Sequence, residues 1–242
     1  MPLTVTAVPC LSDNYAWLLR APDGRCAVCD PGEAAPVAAA LAATGGKLDV
    51  ILLTHHHGDH VAGVADLVAQ TGAKVIGAAA DAHRLPKLDQ AVKPGETIDV
   101  LGAPAEVLAS DGHTRGHIAF HFPDSAIVLC GDTLFSLGCG RLLEGTAEEM
   151  FDSLQRLAAL PPETLACCGH EYSESNARFA LTAEPENPAL RARADEIAAQ
   201  RAAGQATVPT TIGQELATNP FMRAKDAATL ARIRAGKDVF RG

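Results

Sequence analysis

No uninterrupted apolar run in this 242-residue chain reaches the roughly 18 residues of a membrane span. Nor does a charged-then-apolar leader open it, and the two absences together read as a cytoplasmic protein with no membrane partner. Positive charge is scarce: 20 Lys and Arg stand against 29 Asp and Glu, for a net charge of -9. Binding a phosphate backbone needs a basic face, so this balance argues against nucleic acid as the partner. An acidic ligand would need a local basic patch working against the overall field. A disulfide framework is also missing. The seven cysteines, Cys10, Cys26, Cys29, Cys130, Cys139, Cys167 and Cys168, are an odd number in a long chain. Several lie in strand-like runs, where they read as small buried thiols.

What is present is a folded, globular composition. An apolar share of 48% with 20% charged residues can build one large domain, or an ordinary domain with a small appendage. Runs 4–8, 15–19 and 26–29 are β-prone, with Pro22-Asp23-Gly24 as a hairpin turn between the last two. After Asp30-Pro31-Gly32, the Ala-rich stretch 36–43 reads as a helix stopped by Gly45-Gly46. A strand over 49–53 follows. Val61, Val64, Leu67 and Val68 recur at helical spacing, Lys74-Val75-Ile76 is a further strand, and 81–103 reads as irregular surface structure.

The organising stretch is Thr54-His55-His56-His57-Gly58-Asp59-His60, which sets several metal ligands on one loop directly after a strand. The pattern then recurs. Apolar run 105–109 leads to His113, run 126–130 leads to Asp132, and run 165–168 leads to His170. In a layered α/β fold with these strand ends along one edge, the candidates converge. The set His55, His57, Asp59, His60, His113, Asp132 and His170 is too large for one open tetrahedral ion, and two divalent ions fit better. Asp132, with two carboxylate oxygens, is the natural bridge. His55, His57 and His113 are assigned to one ion and Asp59, His60 and His170 to the other. Imidazole and carboxylate accept zinc, iron or manganese, with zinc the first choice. His83, His117 and His121 read as structural or surface histidines, with His117 at most supporting a ligand rather than being one. His56 is expected to point away from its neighbours, and Gly58 to adopt a conformation that a side chain would resist.

These residues carry a resemblance. Thr54 to His60 resembles the signature of the metallo-β-lactamase superfamily, with Asp30-Pro31-Gly32, His113, Asp132 and His170 at its other motif positions. Within it, the chain is similar to the hydroxyacylglutathione hydrolases through Gly131-Asp132-Thr133-Leu134-Phe135, Gly138-Cys139-Gly140-Arg141, Cys168-Gly169-His170-Glu171-Tyr172 and Asn219-Pro220-Phe221-Met222-Arg223. The resemblance implies an αββα sandwich with a small C-terminal all-helical domain: 1–172 as the catalytic domain and 173–242 as the helical substrate-binding domain.

The tail is also legible by itself. Thr146 and Glu149 form a capping box for a helix with Met150, Leu154 and Leu157 on one face, ended by Pro161-Pro162. Stretch 171–200 is helix-prone but broken by Pro185 and Pro188, 204–209 is a linker, and 211–235 is helical again. From Arg223 onward the acidic chain turns basic: Lys225, Arg232, Arg234, Lys237 and Arg241 join it against Asp226 and Asp238. The resemblance assigns glutathione binding to Tyr172, Arg234 and Lys237, with Arg141 where relatives commonly carry lysine. Leu143 stands where some have tyrosine. The implied activity is hydrolysis of S-D-lactoylglutathione by a hydroxide bridging two metal ions, with Asp59 and Asp132 as catalytic carboxylates and no cysteine nucleophile, in a monomer. The alternatives are a glutathione persulfide dioxygenase, another hydrolase of the same fold, or a non-catalytic protein that binds a thiol metabolite.

Overall fold

The computed structural model describes residues 2–242. It divides into two compact units, the first running to Ala109 and resuming over Gly116–Gly131, the second made of Ser110–Arg115 and Asp132–Gly242.

The first unit opens as an antiparallel meander of β1 (Thr4–Cys10), β2 (Asn14–Arg20) and β3 (Arg25–Cys29). The β2–β3 turn is the expected one: Gly24 takes φ +89°, and the Asp23 carboxylate accepts the Arg25 amide at 3.0 Å. Helix α1 (Ala34–Thr44) ends where Gly45 turns left-handed at φ 63°. Strand β4 (Lys47–Leu52) then joins β3 in parallel. Helices α2 (Gly58–Val61) and α3 (Val64–Thr71) lead to β5 (Lys74–Ala78) and β6 (Gln90–Val92), both parallel continuations of the sheet. The order is β1-β2-β3-β4-β5-β6.

One face of this sheet packs Val28, Ile51 and Val75 against Val37 and Leu41 of α1 and Val64 and Leu67 of α3. Leu48 and Ile51 share that face although three positions apart, because Asp49 is the extra residue where the β3–β4 register shifts. The alternate residues Trp17, Leu19, Ala27, Leu52 and Ile76 are buried too, so the central strands are covered on both sides.

A second, antiparallel set follows: β7 (Thr97–Val100), β8 (Ala103–Ala109), β9 (Ile118–Phe122) and β10 (Ile127–Gly131). Strands β8 and β10 both oppose β9, so they run the same way. The Ile118 amide donates to the Thr54 carbonyl at 3.0 Å, and Arg25 Nη2 donates to the Leu101 carbonyl at 3.1 Å. Region 81–103 is therefore not irregular, as the sequence suggests. It holds β6 and β7, and Leu101-Gly102 makes a two-residue hairpin with φ 59° and 85°. These strands are too short to show a strong alternating pattern.

In the second unit, β11 (Leu134–Phe135) and β12 (Gly138–Cys139) form a small hairpin ahead of α4 (Ala147–Ala158). The capping box is present: Glu149 N donates to Thr146 Oγ1 at 3.2 Å, and Thr146 N to the Glu149 carboxylate at 2.7 Å. Strand β13 (Leu165–Cys168) pairs with β14 (Thr210–Thr211). Between them stand α5 (Ser173–Ala183) and α6 (Pro188–Ala202), the latter capped by Asn187 with Pro188 as its first residue. The expected helix 211–235 is two helices, α7 (Ile212–Thr218) and α8 (Ala227–Val239). Asn219-Pro220 breaks it, and the buried Asn219 amide donates to the carbonyls of Phe135 and Gly138. Among the described residues no helix is long and apolar enough to cross a membrane.

Candidate functional site

In the first unit, the loop after β4 is built on Asp30, which ends β3 at φ 52°. Its carboxylate accepts the Thr54 amide at 2.8 Å, the Thr54 hydroxyl at 2.6 Å and His60 Nδ1 at 3.1 Å. These bonds settle the tautomers. A carboxylate accepts only, so His60 carries its proton on Nδ1 and turns a lone pair outward at Nε2. The Thr54 proton is spent on Asp30, so Thr54 Oγ1 accepts from His55 Nδ1 at 3.0 Å, leaving the lone pair of His55 at Nε2. That Nε2 lies 3.1 Å from His57 Nδ1. His60 Nε2 lies 3.6 Å from Asp59 Oδ2, which also accepts from Asn14 Nδ2 at 2.9 Å. Gly32 permits this arrangement, because a Cβ there would stand 2.1 Å from the Asp59 carbonyl oxygen.

The second unit repeats the logic. His113 Nδ1 donates to the Arg141 carbonyl at 2.8 Å, which leaves the lone pair at Nε2, 3.5 Å from Asp132 Oδ2. His170 Nε2 approaches the same oxygen at 3.3 Å. Thr133 Oγ1, donating to the Ser110 carbonyl at 3.0 Å, ties segment 110–115 to the residue after Asp132. Gly140 is required here, since a Cβ would come within 1.9 Å of the Asp132 carbonyl oxygen.

A lone-pair nitrogen facing a carboxylate oxygen is repulsive until a cation separates them. Metal–nitrogen bonds of about 2.0–2.1 Å in a tetrahedral site set ligand atoms roughly 3.3 Å apart, which is the spacing in both donor sets. The residues present therefore fit divalent metal.

Asp132 and His113 also border a cavity of about 380 Å³ in the second unit. Tyr172 stacks flat on His170, with ring centroids 4.5 Å apart and planes 4° from parallel, and Phe135 meets both rings edge-on. Two cations line the far wall. Arg234 is buried, donates Nη1 to the Cys139 carbonyl at 2.8 Å, pairs with Asp238 at 3.0 Å and lies over Phe221. Lys237 Nζ donates to the carbonyl and hydroxyl of Ser175, each at 3.0 Å, between the rings of Phe179 and Phe240. Burial, reinforced by the nearby charges of Arg234 and Arg178, pushes the Lys237 ammonium down to about 8. Arg141 is an exposed rim residue, 3.6 Å from Asp238, and Leu143 is exposed beside it.

Residues 12–170 match the model of the metallo-beta-lactamase superfamily, and residues 171–240 match that of the hydroxyacylglutathione hydrolase C-terminus. The hydroxyacylglutathione hydrolase of Acidiphilium cryptum (strain JF-5) is 56% identical over 237 residues, covering 98% of this chain and 97% of the relative. That of Cereibacter sphaeroides (strain ATCC 17029 / ATH 2.4.9) is 53% identical over 255 residues, covering 99% and 100%. The chain belongs to the hydroxyacylglutathione hydrolase family.

Solved structures agree on the fold. The BLEG-1 B3 metallo-beta-lactamase aligns with a TM-score of 0.71 at 20% identity, over 90% of this chain and 99% of that one. TTHA1623, in a di-iron-bound form, aligns with a TM-score of 0.64 at 28% identity, over 90% and 99%. This member of the hydroxyacylglutathione hydrolase family thus has the metallo-β-lactamase fold with a C-terminal helical region. Its histidine and aspartate clusters support two metal ions.

The other histidines of this family member fall as expected, with refinements. His56 bonds Asp81 Oδ2 at 2.9 Å, and His121 bonds Glu106 at 2.9 Å. His117 stacks on the His55 ring, with centroids 4.7 Å apart and planes 19° from parallel. The expectation for Gly58 is overturned: it has no positive φ, and a Cβ there would meet nothing within 4 Å. It starts α2, and the steric demand falls on Gly32 instead. All seven cysteines are buried thiols outside any disulfide. Burial pushes the Cys139 thiol up to about 11 and that of Cys168 to about 12, which removes the thiolate a nucleophile needs. Sequence reasoning missed Asn14, Asp81, Ser175, Phe179 and Phe240. None belongs to a metal-ligand motif, and only the run of cations in the tail hinted at a supporting shell.

Proposed function

We propose that this chain is a metal-dependent thioesterase that hydrolyses S-D-lactoylglutathione and related S-2-hydroxyacylglutathiones to the 2-hydroxy acid and glutathione. The two donor sets complete one dinuclear centre in this reading. His55, His57 and His113 would hold one ion and Asp59, His60 and His170 the other, with Asp132 as the carboxylate the two would share. The observation that carries it is the Asp132 carboxylate, one oxygen of which two imidazoles approach, on the wall of a cavity whose far side bears Arg234 and Lys237. The 1–172 portion carries the donors and 173–242 the substrate-binding helices.

Two divalent cations, zinc first and iron or manganese as alternatives, would polarise the thioester carbonyl and make water nucleophilic near neutral pH. The protein residues do the rest. Asp59, held by Asn14, has its carboxylate placed to accept a hydrogen bond from the attacking water. Asp30 and the Arg141 carbonyl hold the protons of His60 and His113 on Nδ1, which leaves each Nε2 lone pair for a metal. Tyr172 offers a flat face and a hydroxyl to the peptide, while Lys237, Arg234 and Arg141 supply positive charge for its carboxylates. The match to the hydroxyacylglutathione hydrolase C-terminus favours this substrate over those of relatives that share only the fold. The acidic balance and the thiols outside any disulfide suit a cytoplasmic monomer that does not bind nucleic acid.

The test is hydrolysis of S-D-lactoylglutathione by the purified protein, alongside elemental analysis. Turnover with about two metal equivalents per chain is expected. Strong cleavage of a lactam or an acyl-coenzyme A with none of the glutathione thioester would overturn the reading, as would oxygen consumption with a persulfide and a single iron.

A further inference from the structure

His56 sits between two metal-ligand candidates and is itself committed elsewhere. Its Nδ1 meets Asp81 Oδ2 at 2.9 Å, whereas His55 Nε2 and His57 Nδ1 meet each other at 3.1 Å. Asp81 is fully buried, in the turn that follows β5. A buried carboxylate is costly unless paired, and this one is paired twice, its other oxygen accepting from Arg84 Nε. Asp81 also reaches the loop by a second route. Gly116, at φ +81°, packs so closely on it that a Cβ would lie 3.1 Å from the Asp81 Cβ, and the next residue, His117, stacks on the His55 ring. One buried side chain thus holds His56 by a hydrogen bond and the turn carrying His117 by packing.

We propose that Asp81 is a positioning residue of the metal centre: by anchoring His56, it fixes the direction in which His55 and His57 present their ligand nitrogens. The inference rests on the reading of those two histidines as ligands. The adjacent residues are the ones that matter, because pinning the middle side chain restrains the backbone from which the side chains on either side of it project. Arg84 supplies a countercharge to the buried anchor, so its role is indirect.

The experiment measures Zn2+ affinity by competition with a chromophoric chelator, together with thermal unfolding of the metal-stripped proteins. Asp81→Ala and His56→Ala should each weaken zinc binding about 10- to 100-fold. The double variant should lose no more than the larger single loss, because both changes break one tether. H56A leaves the buried Asp81 with Arg84 alone and should lower the metal-free Tm modestly, so zinc affinity is compared well below each variant's metal-free Tm, where a loss reports how the ligands are presented rather than unfolding. Wild-type zinc affinity in H56A, or losses that multiply in the double variant, would overturn the proposal. If D81A does not fold, Asp81→Asn takes its place in the cycle. His57→Ala is the control: should it too bind zinc like wild type, the ligand assignment fails rather than the anchor.

Discussion

Asp30 accepts the Nδ1 proton of His60 at 3.1 Å, and with the same oxygen, at 2.6 Å, the hydroxyl proton of Thr54. One carboxylate therefore sets the tautomers of two imidazoles, His60 directly and His55 through Thr54. It does so from a left-handed position at the end of β3, with Pro31-Gly32 turning the chain away immediately afterwards.

Replacing Asp30 by Asn puts a donor where three donors converge. Metal affinity should fall about 10- to 100-fold, read as zinc retained after dialysis against a chelator. Thr54→Val should give a smaller loss, because it frees His55 Nδ1 while leaving the His60 bond intact. Equal zinc retention in D30N and wild type would refute the relay.

Asp132→Ala removes the oxygen that His113 and His170 both approach. It should abolish turnover and lower metal content together, by elemental analysis of protein purified in parallel with wild type. A variant with full metal content and full kcat would show that Asp132 is not the bridge.

Lys237 gives a pH dependence with a definite sign. Its ammonium is held down to about 8, so it is charged below that pH and neutral above it. KM for an anionic thioester should stay level on the acid side and rise as pH climbs through about 8, while kcat is less affected. Lys237→Arg keeps its charge across this range and should flatten the profile, although its different fork geometry raises KM at every pH. A rise in KM at the same pH in the Arg variant would assign the titration elsewhere.

Glu215 tests the tail. It is fully buried and accepts from the Leu137 amide at 2.8 Å, Asn219 Nδ2 at 2.9 Å and Thr210 Oγ1 at 2.7 Å, joining α7 to the segment between β11 and β12. Glu215→Ala strands these donors and should cost roughly 3 kcal/mol or more in denaturant unfolding. Burial raises the carboxyl above its ordinary range. The folded state thus binds this proton more tightly than the unfolded chain. Its contribution to stability is fully present below the ordinary carboxyl range and is lost as pH rises through the raised value. Comparing wild type with Glu215→Gln across that window should show wild type losing ground as pH rises.

The sequence alone pointed to the candidate donors and determined most of the elements that carry them. His55, His57, Asp59 and His60 fall within one loop after an apolar run, so neighbours along the chain identify them. The capping box at Thr146, the breaks at Pro185 and Pro188 and the run of cations after Arg223 are likewise patterns of adjacent residues. Only the tertiary structure decided which nitrogen each imidazole turns outward, because that depends on Asp30 and the Arg141 carbonyl, 30 and 28 residues away from the rings they orient. It alone buried Asp81 in a region that reads as surface, moved the steric demand from Gly58 to Gly32, and desolvated Lys237 among two phenylalanines and a serine. A proton's position, a pKa and a forbidden Cβ are each set by the atoms within a few ångströms in space. A chain read in order shows only the atoms within a few residues in sequence.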